Sequence, residues 1–416
     1  MISLVITPTS PPIEGKDVHA IYKRLRMFIQ ALAEVSDSVV VLHFVDPDGP
    51  EWQMDQHQLD SEQSKFWNVK VSVKLAAKRK AEMRWWQYLS AIFSILDRPR
   101  FYPFVGGAQI EAITSCLREA PDLVLTHRLA AIVPFFRVPQ FDPPLLFDLD
   151  DVEHRVKIRS SLGFRSLVAK LFNLLQVPAI YFAEMKAARI AAMTFVCSEL
   201  DRSYLGRLGI TKVQAIPNAL PMPAIVSNTA TDPSILFLGT YEYPPNVSAA
   251  ERLISGILPK ILKQNPQARL TIVGKRPDLI PSFIRQPPNV EFTGVVPDLA
   301  PLYQRSRIVC CPITIGGGTR IKLVEAAGYA KPIVATAIGA EGLAMIDNVE
   351  IMIRDSDDEI AESCLELLDD EQLCLRLGLA ARHKAELLYD VTNVRRDIVE
   401  RLMKVLGSGK GTTRKS

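Results

Sequence analysis

Short apolar runs alternate with amphipathic stretches along the whole chain, the pattern of a parallel sheet flanked by helices. In the first half, Leu4–Thr7, Val39–His43, Leu123–Thr126, Leu145–Asp148 and Thr194–Ser198 read as strands. Val18, Ile21, Leu25, Phe28, Ile29 and Leu32 recur at helical spacing and predict one apolar stripe between the first two strands. The alternation breaks at Ile216-Pro217-Asn218-Ala219-Leu220-Pro221-Met222-Pro223, and the polar run Ser227–Pro233 follows. A domain boundary is expected there. Beyond it Ile235–Gly239, Leu270–Gly274, Val290–Thr293, Val309–Pro312 and Ile333–Thr336 again read as strands. Two βα series of about five strands each predict two Rossmann-like α/β domains facing each other across a cleft. Their expected bounds are 1–220 and 221–406, with a last helix able to cross back, and the small polar tail 407–416 reads as disordered.

Length and composition agree with this division. A chain of 416 residues is long for one core. Hydrophobic residues make up 48% and charged residues 23%, which excludes a disordered or fibrous chain. A net charge of +3 excludes a dedicated nucleic-acid binder, whose basic face would show in the total. The six cysteines have no C-x-x-C spacing and read as small buried hydrophobes, which points to a reducing, cytoplasmic setting. No histidine pairs with another His or Cys at metal-ligand spacing, so no metal site is expected. Met1–Thr7 lacks the basic flank of a signal segment and reads as a strand, and no apolar run reaches the ~18 residues of a membrane span.

The densest chemistry lies in Pro312-Ile313-Thr314-Ile315-Gly316-Gly317-Gly318-Thr319-Arg320-Ile321-Lys322-Leu323-Val324-Glu325. A strand ends, three glycines follow, and Thr319 is placed to cap a helix. Glycines let a ligand approach the backbone, and helix N-terminal amides favour an anion. Arg320 and Lys322 add positive charge where the helix dipole disfavours it, which makes sense if a diphosphate sits at this end. Glu325 follows Lys322 on the same side of the helix, about 9 Å of rise beyond Thr319, a spacing that suits the ribose diol of a nucleotide. On pattern alone a second reading stands: a plain strand-to-helix turn with Lys322 and Glu325 as an exposed ion pair.

This segment, with Lys331-Pro332-Ile333-Val334-Ala335-Thr336 and Ile338-Gly339-Ala340-Glu341-Gly342-Leu343, resembles the donor-site signature of family-4 retaining glycosyltransferases. Phe237-Leu238-Gly239 with Asn246, Ile272-Val273-Gly274, Val290-Glu291-Phe292-Thr293-Gly294, Val296-Pro297-Asp298, Val196-Cys197-Ser198-Glu199 and Ile216-Pro217-Asn218 extend the resemblance over nearly the whole chain. It implies the GT-B fold, a nucleotide diphosphate sugar held mainly by the second domain, retention of anomeric configuration and no separate cofactor. Gly316, Gly317, Gly318, Thr319, Arg320, Lys322 and Glu325 would form the donor site, with Lys322 and Glu325 counted among the catalytic groups. In one respect the chain departs from the family, since Gly317 stands where an upstream glutamate often precedes the one matching Glu325.

In the first half the resemblance implies that the loop holding Gly15 approaches the donor, although a plain loop glycine explains the residue equally. His127 ends a strand, where α/β sheets bind ligands, and the resemblance places such a histidine near the transferred sugar. Asp150, Asp151 and Glu153 are candidates for orienting acceptor hydroxyls; helix capping by either aspartate, with surface ion pairs to Arg155 and Lys157, is the competing reading. The stretch Lys74–Leu89 is basic, helix-compatible and rich in aromatics. Its Lys78–Tyr88 portion suits an anionic membrane surface, where related enzymes meet lipid-linked or glycan acceptors; a solvated helix packed on the first domain accounts for it too. Two other functions fit the same fold: a sugar-nucleotide isomerase of the 2-epimerase type, and a non-catalytic nucleotide-sugar-binding subunit. A nicotinamide enzyme does not, because the first strand's turn lacks G-x-G-x-x-G.

Overall fold

The computed structural model describes residues 1–11, 20–78, 106–162, 167–224 and 232–409. The chain divides into two units, Met1–Pro217 with Val394–Ser416, and Asn218–Asn393.

The first unit is built on a sheet of β1 (Ile2–Thr7), β2 (Ser38–Val45), β3 (Ser72–Ala77), β4 (Leu123–His127), β5 (Leu145–Asp150), β6 (Met193–Val196) and β7 (Val213–Ala215). The order is β3-β2-β1-β4-β5-β6-β7 with every pairing parallel. Strands β4 and β5 are buried along their whole length, as continuous apolar runs in a doubly covered parallel sheet must be. The edge strands β3 and β7 are partly exposed, so neither needs the continuous apolar run of a central strand. Strand β3 overturns a helical reading of Lys74–Ala77: pairing from Val40–Ser72 through Val45–Ala77 overrides local propensity. The helix Ala20–Val35 buries Leu25, Phe28, Ile29 and Leu32 as expected, and Arg24 with them.

The second unit is built on β8 (Ser234–Leu238), β9 (Arg269–Val273), β10 (Val290–Gly294), β11 (Ile308–Cys311), β12 (Ile333–Ala335) and β13 (Met352–Ile353). This sheet is also parallel, in the order β10-β9-β8-β11-β12-β13. At the carboxyl ends of β8 and β9 the backbones nearly touch: a Cβ on Gly274, whose φ is +132°, would lie 1.8 Å from the Gly239 carbonyl oxygen.

The observed division falls slightly earlier than the expected bounds of 1–220 and 221–406. Leu220 exchanges backbone hydrogen bonds with Tyr389 and Val391, and Arg382 donates to the Pro223 carbonyl at 2.7 Å, which ties 218–223 to the second unit. The helix Val391–Gly409 joins the first unit from Val394 onward. It buries Val394, Ile398 and Leu402, and Arg395 pairs with Glu34 at 2.8 Å. Residues 407–409 therefore continue a helix and are not tail, while 410–416 lie outside the described residues. Gly15 and all of the stretch Lys78–Tyr88 beyond Lys78 also lie outside them. Among the described residues no helix is long and apolar enough to cross a membrane. All six cysteines are free and buried.

Candidate functional site

Candidate groups gather at the carboxyl ends of the strands in both units. In the second unit β11 runs into the glycine loop, and the helix Ile321–Gly328 follows. Gly316 has φ +134° and Gly318 φ +77°, conformations that other residues rarely adopt. A Cβ on Gly316 would stand 2.8 Å from Arg320 Nη2 and 3.1 Å from the Tyr243 hydroxyl. Arg320, not Thr319, occupies the N-cap position, and no side chain caps the helix. The helix starts one residue late because Arg320 stays extended and turns back on the loop, donating from Nη1 to the carbonyls of Gly317 and Gly318. Its Nε and Nη2 are buried and have no hydrogen-bond partner among the described residues.

Lys322 does not pair with Glu325. Its Nζ donates to Asn246 Oδ1 at 2.9 Å and to the Leu238 carbonyl, and lies 4.6 Å from the centre of the Phe237 ring. Glu325 instead accepts from the Tyr303 hydroxyl at 3.3 Å. The exposed ion-pair reading of Lys322 and Glu325 is thereby excluded. Burial pushes the Lys322 ammonium down to about pKa 8, Cys311 working against the shift and Arg320 with it. Two cations thus sit beside the glycine loop, and among the described residues neither has a carboxylate partner. Desolvated cations without a counter-charge are costly unless a ligand supplies it.

In the first unit the Arg24 guanidinium, wholly buried, grips Asp148 through Nη2 at 2.6 Å and Nε at 2.9 Å, and donates from Nη1 to the Ile216 carbonyl at 2.7 Å. Asp148 Oδ2 also accepts from His127 Nδ1 at 2.8 Å. Burial alone would raise the Asp148 pKa, but Arg24 and His127 outweigh it and hold the carboxyl below its usual range. An ionised carboxylate only accepts, so Nδ1 is the donor in this bond and Nε2 is the ring's remaining polar atom. That Nε2 is buried and has no partner among the described residues. Sequence reasoning passed over Arg24 and Asp148. The signal was available: Arg24 interrupts the apolar stripe one residue before Leu25, and Asp148 is a charge inside a buried strand.

Arg128 at φ +68° and Asp150 at φ +66° are both strained, a state that surrounding structure must hold in place. Arg128 Nη2 donates to Asp150 Oδ2 at 2.8 Å, and Arg24 Nε lies 3.4 Å from Asp150 Oδ1. Asp151 accepts from the Cys197 thiol at 3.0 Å; burial and then the Asp150 charge raise its pKa to about 7. Arg155 pairs with Asp201 at 3.0 Å. Glu153 opens the helix Glu153–Leu162. Asp150, Asp151 and Cys197 lie close enough to ligate one metal ion. The donor set does not suit a cation, because burial keeps the thiol protonated and Asp150 already neutralises two arginines.

Residues 232–370, within the second unit, match the family described as Glycosyl transferases group 1. An uncharacterized 44.6 kDa protein in the cps region of Klebsiella pneumoniae is 23% identical over 135 residues, covering 30% of this chain and only 34% of that relative. Among solved structures, sucrose-phosphate synthase from Thermosynechococcus elongatus aligns over 98% of this chain and 100% of its own, at 15% identity and TM-score 0.69. HepE from Anabaena, in complex with UDP and glucose, aligns over 96% and 99%, at 17% identity and TM-score 0.63. The pneumococcal O-GlcNAc transferase GtfA, in complex with UDP and GlcNAc, aligns over 98% and 99%, at 10% identity and TM-score 0.61. At such identities the likeness establishes the fold, two Rossmann-like α/β units of the GT-B class. With the family match it supports a GT-B glycosyltransferase.

Proposed function

We propose that the protein transfers a sugar, with retention of configuration, from a nucleoside diphosphate sugar to a glycan or lipid-linked acceptor, as resemblance to family-4 enzymes suggests. The observation that carries this reading is the buried Arg320, two of whose nitrogens have no partner among the described residues, beside Lys322 and the glycine loop. That arrangement suits a diphosphate, whose departing charge the two cations would stabilise without a metal. UDP is the first nucleotide to try, because HepE and GtfA are solved with it. Glu325 is assigned to the ribose hydroxyls and His127 Nε2 to a hydroxyl of the transferred sugar.

On the acceptor side, Asp150 serves the arginine network, which leaves Asp151 and Glu153 as the groups to meet an incoming hydroxyl. Asp151, with a pKa of about 7, is suited to share a proton there. No dedicated base is required, because the leaving phosphate oxygen can take the proton in a front-face displacement.

The test is an incubation of metal-stripped protein with α-linked UDP-sugars, excess chelator and no acceptor, followed by proton NMR. Slow hydrolysis that first releases the α-anomer supports retaining transfer. First release of the β-anomer refutes retention, and a loss that magnesium restores refutes metal independence. Appearance of an epimerised nucleotide sugar would establish the isomerase reading; tight binding without turnover would establish the non-catalytic one.

A further inference from the structure

Lys322 lies on the helix after the glycine loop, yet its ammonium is held from another part of the second unit. Asn246 is the third residue of the helix Pro244–Arg252, whose two leading prolines fix its first turn, and it is buried although polar. Its Nδ2 donates to the Thr240 carbonyl at 2.8 Å, and its Oδ1 accepts from Lys322 Nζ at 2.9 Å. The partners fix which way the amide faces, because a carbonyl only accepts and an ammonium only donates. Glycine makes room for it: a Cβ on Gly239 would lie 2.9 Å from Asn246 Cγ and 3.0 Å from Nδ2.

Among the described residues the groups that hold this ammonium are neutral. Beside Asn246 they are the Leu238 carbonyl and the Phe237 ring, whose centre lies 4.6 Å away. The titratable groups that bear on it are Cys311 at the end of β11 and Arg320 in the glycine loop. Burial raises the Cys311 pKa, so that thiol is uncharged, and Arg320 adds a like charge. Neutral acceptors fix a cation without cancelling its charge. An ammonium has three N–H donors. Leu238 and Asn246 take two of them, and Lys322 stays partly exposed, so one is left for a ligand. A lysine stem otherwise moves among many rotamers, and a ligand that meets it already fixed loses less entropy on binding.

We propose that Asn246 is a positioning residue for Lys322: it aims the ammonium at the diphosphate of the donor and, being uncharged, leaves the ammonium's charge for that diphosphate. This role rests on the placement of a diphosphate at the glycine loop. Asn246 then acts on donor affinity only through Lys322, which separates it from a residue that merely supports the fold.

The test is calorimetric titration of the full-length protein with UDP, comparing the parent with Asn246→Ala, Lys322→Met and the double variant at pH 7. Each single change should weaken binding about tenfold or more. The double variant should bind within about twofold of Lys322→Met, because the contact is already gone. Asn246→Asp keeps the side chain's size and places a carboxylate beside the ammonium, so it carries the test if Asn246→Ala fails to fold in thermal melts. It should weaken UDP about tenfold or more at pH 7. A carboxylate there favours the charged lysine, so the affinity of Asn246→Asp should stay level from about pH 8 to 10, where loss of the Lys322 proton weakens the parent. An Asn246→Ala protein that binds like the parent, losses that add in the double variant, or an Asn246→Asp protein whose affinity falls with pH as the parent's does would overturn the proposal and leave the diphosphate site standing. A parent that binds neither UDP nor another nucleoside diphosphate would remove the site and this role together.

Discussion

Affinity for a nucleoside diphosphate should fall as pH rises through about 8, where Lys322 loses its proton in the free protein. A bound diphosphate would restore that pKa toward or above its usual 10.5, so binding above pH 8 takes up a proton. Linkage then sets a slope of about tenfold in affinity per pH unit: roughly tenfold weaker at pH 9 and 100-fold weaker at pH 10 than at pH 7. The phosphate's own second ionisation, near pKa 6, is complete over this window and does not mask the slope. Lys322→Met keeps the side chain's length but removes the charge, and should flatten the curve above pH 8 while weakening binding below it. Stability without ligand runs the other way. The unfolded chain binds the proton up to about 10.5 and the folded chain only to about 8, so this residue's contribution improves as pH rises between them. Calorimetric titration in two buffers of different ionisation enthalpy reads both affinity and proton uptake. A flat affinity from about pH 8 to 10 in the parent, or an unchanged slope in Lys322→Met, would refute the reasoning.

Arg24→Met leaves Asp148 buried without its cation and should cost about 3–5 kcal/mol in urea unfolding; a loss under about 1 kcal/mol would mean that water reaches the pair. Gly274→Ala places a Cβ 1.8 Å from the Gly239 oxygen at φ +132°. It should destabilise the protein by about 3 kcal/mol or more, seen as a lowered Tm and poor soluble yield. His127→Ala should cut turnover by about 10²-fold while leaving nucleoside diphosphate affinity nearly unchanged, because the residue belongs to the first unit and the donor signature to the second. Equal losses in kcat and in diphosphate affinity would contradict its assignment to the sugar.

The central strands of both sheets were legible because a parallel strand covered on both faces must be continuously apolar, as Leu145–Phe147 and Ile308–Cys311 are. Strands β3, β7 and β13 were not: β7 and β13 have only three and two residues, and β3 is only partly buried along Ser72–Ala77, so each is held by pairing with a neighbour. The glycine loop was legible through composition, but its internal connections were not. Nothing in the local spacing says that Arg320 folds back onto Gly317 while Lys322 crosses to Asn246, because these contacts are set by where β8 lies beside β11. The Arg24–Asp148–His127 cluster joins residues far apart in the chain, brought together only by the parallel order of β1, β4 and β5.

The central claim is that the glycine loop and the helix after it hold the diphosphate and ribose of a donor nucleotide. Titration of parent and Glu325→Ala protein with UDP, UMP and 2′-deoxy-UDP, repeated with other bases if uridine fails, tests it most directly. The parent should bind the diphosphate more tightly than the monophosphate and the ribose form more tightly than the deoxy form. Glu325→Ala should lose about 1.5–3 kcal/mol toward the ribonucleotide and little toward the deoxy analogue. No binding of any nucleoside diphosphate, or an equal loss toward ribose and deoxyribose forms, would contradict the account.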